Sequence, residues 1–101
     1  MKVVYAERAR RDISEIYDSI VAHSPPSAHK VEALIRNQCI RLADFPYAAA
    51  KTDLPDVFRM PLVRYPYTIF YRVNVTLDRI EIARVIHGAR VRNLWKLPDD
   101  E

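Results

Sequence analysis

His87, Tyr71 and the arginines at 59, 84 and 90 are the side chains of this 101-residue chain best suited to work on a phosphodiester. Metal-free cleavage of RNA needs a base for the 2′-hydroxyl, an acid for the leaving oxygen and cations for the charged intermediate. His87 and Tyr71 are candidates for the proton transfers, because histidine titrates nearest to neutral pH. Arg59, Arg84 and Arg90 are candidates for holding phosphate, through the bidentate geometry of guanidinium. The competing reading of His87, placed just before Gly88 at a strand end, is a structural histidine bonded to backbone. A second set, Arg84, Arg90, Arg92 and Trp95, reads instead as a binding surface, since Arg and Trp are frequent hot-spot residues. Trp95 serves equally well as an anchor packing a terminal helix onto the core.

Other chemistry is poorly supplied. His23 and His29 flank Pro25-Pro26 without a carboxylate cluster and read as surface residues. Cys39 is the only cysteine, so neither an internal disulfide nor a cysteine-bound zinc is expected. It falls on an apolar helical stripe and reads as an inert core residue. No metal and no cofactor are expected. A lone thiol, an N-terminus without an apolar leader and the lack of any apolar run near the ~20 residues of a membrane helix point to the cytoplasm.

Charge favours an anionic partner. The net charge is +3, and twelve of the sixteen basic residues are arginine. Residues 59–96 carry eight basic and two acidic side chains, a local balance of +6. Such a segment suits nucleic acid or an acidic protein, or is simply a solvated sheet face with snorkelling arginine stems.

The elements that position these groups follow from periodicity. Residues 2–6 form a short β-prone run. Ala9, Ile13, Ile16, Tyr17, Ile20 and Val21 recur at helical spacing and predict a helix ending near His23, ahead of Pro25. Ser24 is a good N-cap, and proline is tolerated in a first turn. Ala28, Val31, Leu34, Ile35, Cys39, Leu42 and Ala43 then predict a second helix ending before Pro46, so the two must form an antiparallel hairpin. Residues 46–56 read as a loop. Strands are predicted over 57–63, with Pro61 marking an edge, over 67–73, and over 79–87. Gly88, the only glycine, marks a turn that needs positive φ. Residues 91–97 predict a short terminal helix bounded by Pro98. If Val73 faces Ile80, then Arg72 faces Glu81, Tyr71 faces Ile82, Ile69 faces Arg84 and Tyr67 faces Ile86. Phe70, Ala83 and Val85 then share the other face. The expected fold class is α+β: one domain, residues 1–101, with an N-terminal strand and a helical hairpin packed on an antiparallel sheet.

This order, together with Arg64-Tyr65-Pro66-Tyr67-Thr68-Ile69-Phe70-Tyr71-Arg72-Val73 and Ile80-Glu81-Ile82-Ala83-Arg84-Val85-Ile86-His87-Gly88-Ala89-Arg90, resembles the RelE/ParE superfamily of bacterial type II toxin–antitoxin systems. The two segments together look most like the ParE branch. The resemblance spans nearly the whole chain and implies a cytoplasmic, growth-inhibiting toxin of plasmid-stabilisation type. It further implies a hetero-oligomer with an acidic, partly disordered antitoxin, whose helix would lie on the helical hairpin or whose strand would extend the sheet. ParE-like members poison DNA gyrase by binding, and RelE-like members cut mRNA on the ribosome. RelE-like nucleases usually carry a Lys/Arg cluster and a catalytic Tyr or His near the C-terminus. Here no Tyr or His follows Arg90. The resemblance therefore favours gyrase, with Arg84, Arg90, Arg92 and Trp95 as target-binding residues. The alternatives are a nuclease using Arg59, Arg84 and His87, and an inactive relic that only binds its antitoxin.

Overall fold

A computed structural model describes residues 1–88. Seven elements follow one another: β1 (Lys2–Tyr5), α1 (Glu7–Val21), α2 (Pro25–Leu42), β2 (Ala50–Lys51), β3 (Val57–Pro61), β4 (Tyr67–Asn74) and β5 (Arg79–His87). The strands form a single sheet in the order β1-β5-β4-β3-β2, and both helices pack on one of its faces. The fold is α+β, as the periodicity implied.

The helices begin differently. α1 starts after Ala6, whose side chain cannot cap, and Glu7 supplies the only first-turn acid to meet the helix dipole. At the start of α2, the Ser24 hydroxyl accepts from the Ser27 amide at 3.3 Å, an arrangement typically worth about 1 kcal/mol. Pro25 and Pro26 occupy the first turn, where amide hydrogens have no intrahelical partner. The apolar stripes of both helices converge with β4 and β5 on one core. Ala9, Ile13, Val31, Ile35, Cys39 and Leu42 meet Ile69, Tyr71, Ile80, Ile82 and Val85 there.

Four features depart from the sequence reading. First, Ala50–Lys51 pairs with Arg59 and Phe58 to make a two-residue strand inside the expected loop. Second, β1 runs parallel to β5, so the sheet is mixed rather than wholly antiparallel. The helical hairpin provides the crossover that parallel neighbours need. Third, Gly88 does not adopt positive φ. Asp56 and Asp78 do, at 59° and 52°, a region that Asp tolerates better than most residues. Gly88 instead donates its amide to the Pro66 carbonyl.

The fourth departure is the β4–β5 register. Val73 faces Ile80, Arg72 faces Glu81 and Tyr71 faces Ile82, as expected. Ala83 is then an extra residue, a β-bulge, and every later pair moves by one. Phe70 faces Arg84, Ile69 faces Val85 and Tyr67 faces His87. The expected pairs Ile69–Arg84 and Tyr67–Ile86 do not form. In consequence Val85 joins the helix-side core, while Ile86 joins Val57, Phe70 and Ala83 on the opposite face, beside Leu54.

Candidate functional site

The bulge brings His87 to the mouth of a cleft between α1 and the ends of β4 and β5. The cleft encloses about 320 Å³. Tyr67 and His87 form one wall, with their rings edge to face at 5.5 Å between centroids. Glu15, Ile16 and Ser19 of α1 form the other wall. His87 is exposed to solvent.

Arg84 lies at the base of the cleft and is only 7% exposed. Its Nε donates to Asp12 Oδ2 at 2.8 Å, and its Nη2 donates to Asp12 Oδ1 at 3.1 Å. Asp12 is 5% exposed and also accepts the Val85 amide at 3.0 Å. Arg8 approaches the same carboxylate at 3.5 Å, one helical turn away. Both oxygens of Asp12 and the forked edge of Arg84 are thus committed to one another. The sequence reading offered Arg84 as a partner-facing or phosphate-holding residue. The structure places it in a buried pair, a position forced by the bulge.

The other candidates separate. Arg59 is exposed on β3. Side chains alternate along a strand; Phe58 and Met60 belong to the helix-side core and Val57 to the opposite cluster. Arg59 therefore projects from the face away from the helices, whereas His87 and Tyr67 border α1. Tyr71 is fully buried and its hydroxyl donates to the Pro46 carbonyl at 2.8 Å. Its ring stacks on Phe58 at 5.4 Å. Arg90, Arg92 and Trp95, like the predicted helix over 91–97, lie outside the described residues.

Tyr71 makes a measurable prediction. Burial pushes its pKa up to about 12, and burial likewise raises Tyr5 to about 12. The usual value is about 10. The folded chain holds these protons between pH 10 and 12, while the unfolded chain releases them. Their contribution to stability is complete below about pH 10 and disappears as the pH rises to about 12. Ultraviolet titration of the phenolate band should show two of the six tyrosines ionising late, together with alkaline unfolding. Ionisation of all six near pH 10 in folded protein would contradict this placement.

Remaining candidates are quiet. Cys39 is fully buried, and burial raises its thiol to about 11, as an inert core residue requires. His29 contacts Tyr17, ring to ring at 5.4 Å. Among the described residues, no three potential ligands come together around a metal position. None of the described helices is long and apolar enough to cross a membrane.

Two further surfaces adjoin the helices. Tyr5, Arg10, Tyr17, Glu32 and Arg36 line a cleft of about 410 Å³ between α1 and α2. Leu42, Phe45, Met60, Pro61 and Val63 line an apolar groove of about 420 Å³ beside the end of α2. Phe45 and Val63 are 60% and 93% exposed at its rim.

Sequence reasoning missed Asp12 altogether. Its signal was present: a carboxylate between Ala9 and Ile13, inside the apolar arc of α1. A charge on a buried stripe requires a partner, and an arginine in the middle of an apolar strand was the evident one.

Comparison with known proteins agrees with this architecture. The family model for the ParE toxin of type II toxin–antitoxin systems, parDE, matches residues 3–92. The toxin of the chromosomal ParDE system from P. aeruginosa is 27% identical with a TM-score of 0.75, over 86% of this chain and 95% of that one. The intact E. coli RelBE complex aligns at 16% identity and a TM-score of 0.65, over 83% of this chain and 92% of that one. The RelB–RelE complex from Methanococcus jannaschii aligns at 19% identity and a TM-score of 0.58, over 92% and 99%. The last two likenesses are of fold. No curated protein sequence matches significantly. A family match that takes in both helices and all five strands means that the chain belongs to the ParE toxin family of type II toxin–antitoxin systems.

Proposed function

We propose that this toxin arrests growth in the bacterial cytoplasm by binding DNA gyrase, and that a cognate antitoxin silences it. The observation that carries the choice of binding over RNA cleavage is the commitment of Arg84. A phosphate-holding arginine must present its guanidinium to substrate; this one is turned inward to Asp12. Arg59, on the far face of the sheet, supplies no second cation beside His87. The 27% identity to the P. aeruginosa ParDE toxin points the same way. Under this reading Arg90, Arg92 and Trp95, which follow Gly88 in sequence, supply the contacts with gyrase.

The antitoxin reading is supported by the surfaces beside the helices. The groove rimmed by Phe45 and Val63 suits the apolar face of an added helix. The net charge of +3 favours encounter with an acidic chain.

The deciding experiment is pulse labelling of DNA and protein synthesis after this chain is induced alone in a bacterium. DNA synthesis should fail first, with induction of the DNA-damage response. Protein synthesis failing first would overturn the gyrase reading in favour of mRNA cleavage. Continued synthesis of both would leave the chain as an antitoxin-binding module without toxicity.

A further inference from the structure

The β4–β5 hairpin could close in two registers, and side-chain pattern alone favours the one that is not observed. Strict alternation from Ile80 and Ile82 sends Arg84 and Ile86 toward the helices, and Val85 and His87 away. The bulge at Ala83 reverses the last three: Val85 enters the main core, Ile86 leaves it, and His87 turns toward Tyr67 and α1, while the Arg84 side chain reaches Asp12 of α1. A bulge leaves one residue without a ladder partner, so something must repay its cost.

That compensation comes from Asp12. β1 covers the edge of β5 only as far as Ile82, whose carbonyl accepts the Ala6 amide at 2.9 Å. Beyond that point the next outward amide belongs to Val85, and Asp12 accepts it at 3.0 Å. The same carboxylate takes two donors from Arg84. In the regular register the side chain of Arg84 would enter the apolar core and the Val85 amide would turn toward β4. A charged guanidinium entering that core would require a carboxylate to enter with it.

We propose that the Asp12–Arg84 pair is a register pin for the hairpin, and that Asp12 is therefore the positioning residue of the Tyr67–His87 cleft. The pair holds the strand in the bulged register. An apolar residue at 84 completes the run 80, 82, 84, 86 and leaves the bulge without support. Buried ion pairs often add little net stability, and their best-attested use is to fix register. A one-residue slip moves every following side chain to the other face, so the pin decides which way His87 points. This role is independent of the toxin's target.

The test uses the full chain, isotopically labelled by cell-free synthesis, with nuclear Overhauser contacts as the readout. The native chain should show Tyr67 opposite His87. The double variant Asp12→Ala/Arg84→Leu should lose that contact and show Tyr67 opposite Ile86. Deleting Ala83 from the double variant should restore Tyr67–His87, because residue 84 then faces Phe70 without any bulge. A role confined to stability predicts neither the exchange of partners nor its reversal by shortening the strand. Persistence of Tyr67–His87 in the double variant overturns the proposal, as does its failure to return on deletion. If the double variant does not fold, Asp12→Ser/Arg84→Met, which likewise removes both charges, is read in its place: Tyr67 opposite Ile86 supports the pin, and Tyr67 opposite His87 overturns it.

Discussion

Replacing Arg84 by alanine should cost about 3–5 kcal/mol of folding stability, because it strands the Asp12 carboxylate in a buried site. Both partners are under 10% exposed, so solvent screens little of the effect. Against the roughly 5–15 kcal/mol available to a small domain, that loss is a large share of the total stability. Urea denaturation is the measurement, with the midpoint falling and the slope unchanged. The double replacement Asp12→Ala/Arg84→Leu removes both charges and should recover most of the loss, as apolar substitution of buried pairs often does. A loss below about 1 kcal/mol, the range of exposed pairs, would show that water reaches the Asp12–Arg84 bridge. This expectation also alters the meaning of a toxicity assay. Loss of growth arrest by an Arg84→Ala chain counts as loss of a target contact only where its unfolding curve shows the fold intact. Surface and core roles for the same arginine are thus separated by one unfolding curve.

What was legible in the sequence was local. Spacing of three and four residues marked both helices, and Ser24-Pro25-Pro26 marked the boundary between them within a few residues. β-branched and aromatic density located β4 and β5, and the first half of their pairing followed from Val73 and Ile80. The bulge was not legible, because its cause lies 72 residues away at Asp12. By residue type alone Arg84 reads as available to a partner; only α1 reveals that it is taken. The two-residue β2 is too short to carry an alternation. The parallel β1–β5 pair depends on where the helical hairpin delivers the chain. Glycine tolerates a left-handed turn most easily, which is why Gly88 reads as one, yet the hairpin's left-handed residue is Asp78. Permissiveness of a residue type does not establish that its position needs it. For the site, residue types correctly marked the end of β5 as the region of interest, but not which members of the set converge there. His87 meets Tyr67, whereas Arg59 and Arg84 are carried elsewhere.

His87→Ala and Arg90→Ala should have opposite consequences, and the contrast discriminates between the two chemistries open to this fold. His87 is exposed, and removal of a surface side chain usually changes stability by no more than about 0.5 kcal/mol. If the toxin acts by binding through Arg90, Arg92 and Trp95, His87→Ala should shift half-maximal inhibition of purified gyrase by less than about fivefold, the equivalent of the ~1 kcal/mol below which an interface residue is near neutral. Arg90→Ala should weaken inhibition by about 30-fold or more, the cost of losing a hot-spot contact of about 2 kcal/mol. Urea unfolding of the same proteins accompanies the assay, and a variant's inhibition is interpreted only where its midpoint stays near the native one, which excludes the explanation that applies to Arg84→Ala. If the toxin instead cleaves RNA with His87 as its acid or base, the order reverses. His87→Ala then loses about 10²-fold or more in cleavage rate, and gyrase is unaffected by any variant. The assay uses purified gyrase and ribosome-bound mRNA in parallel, so each chemistry is read on its own substrate. A His87→Ala chain that still arrests growth rules out proton transfer by the only histidine of the cleft, and with it the nuclease built on Arg59, Arg84 and His87.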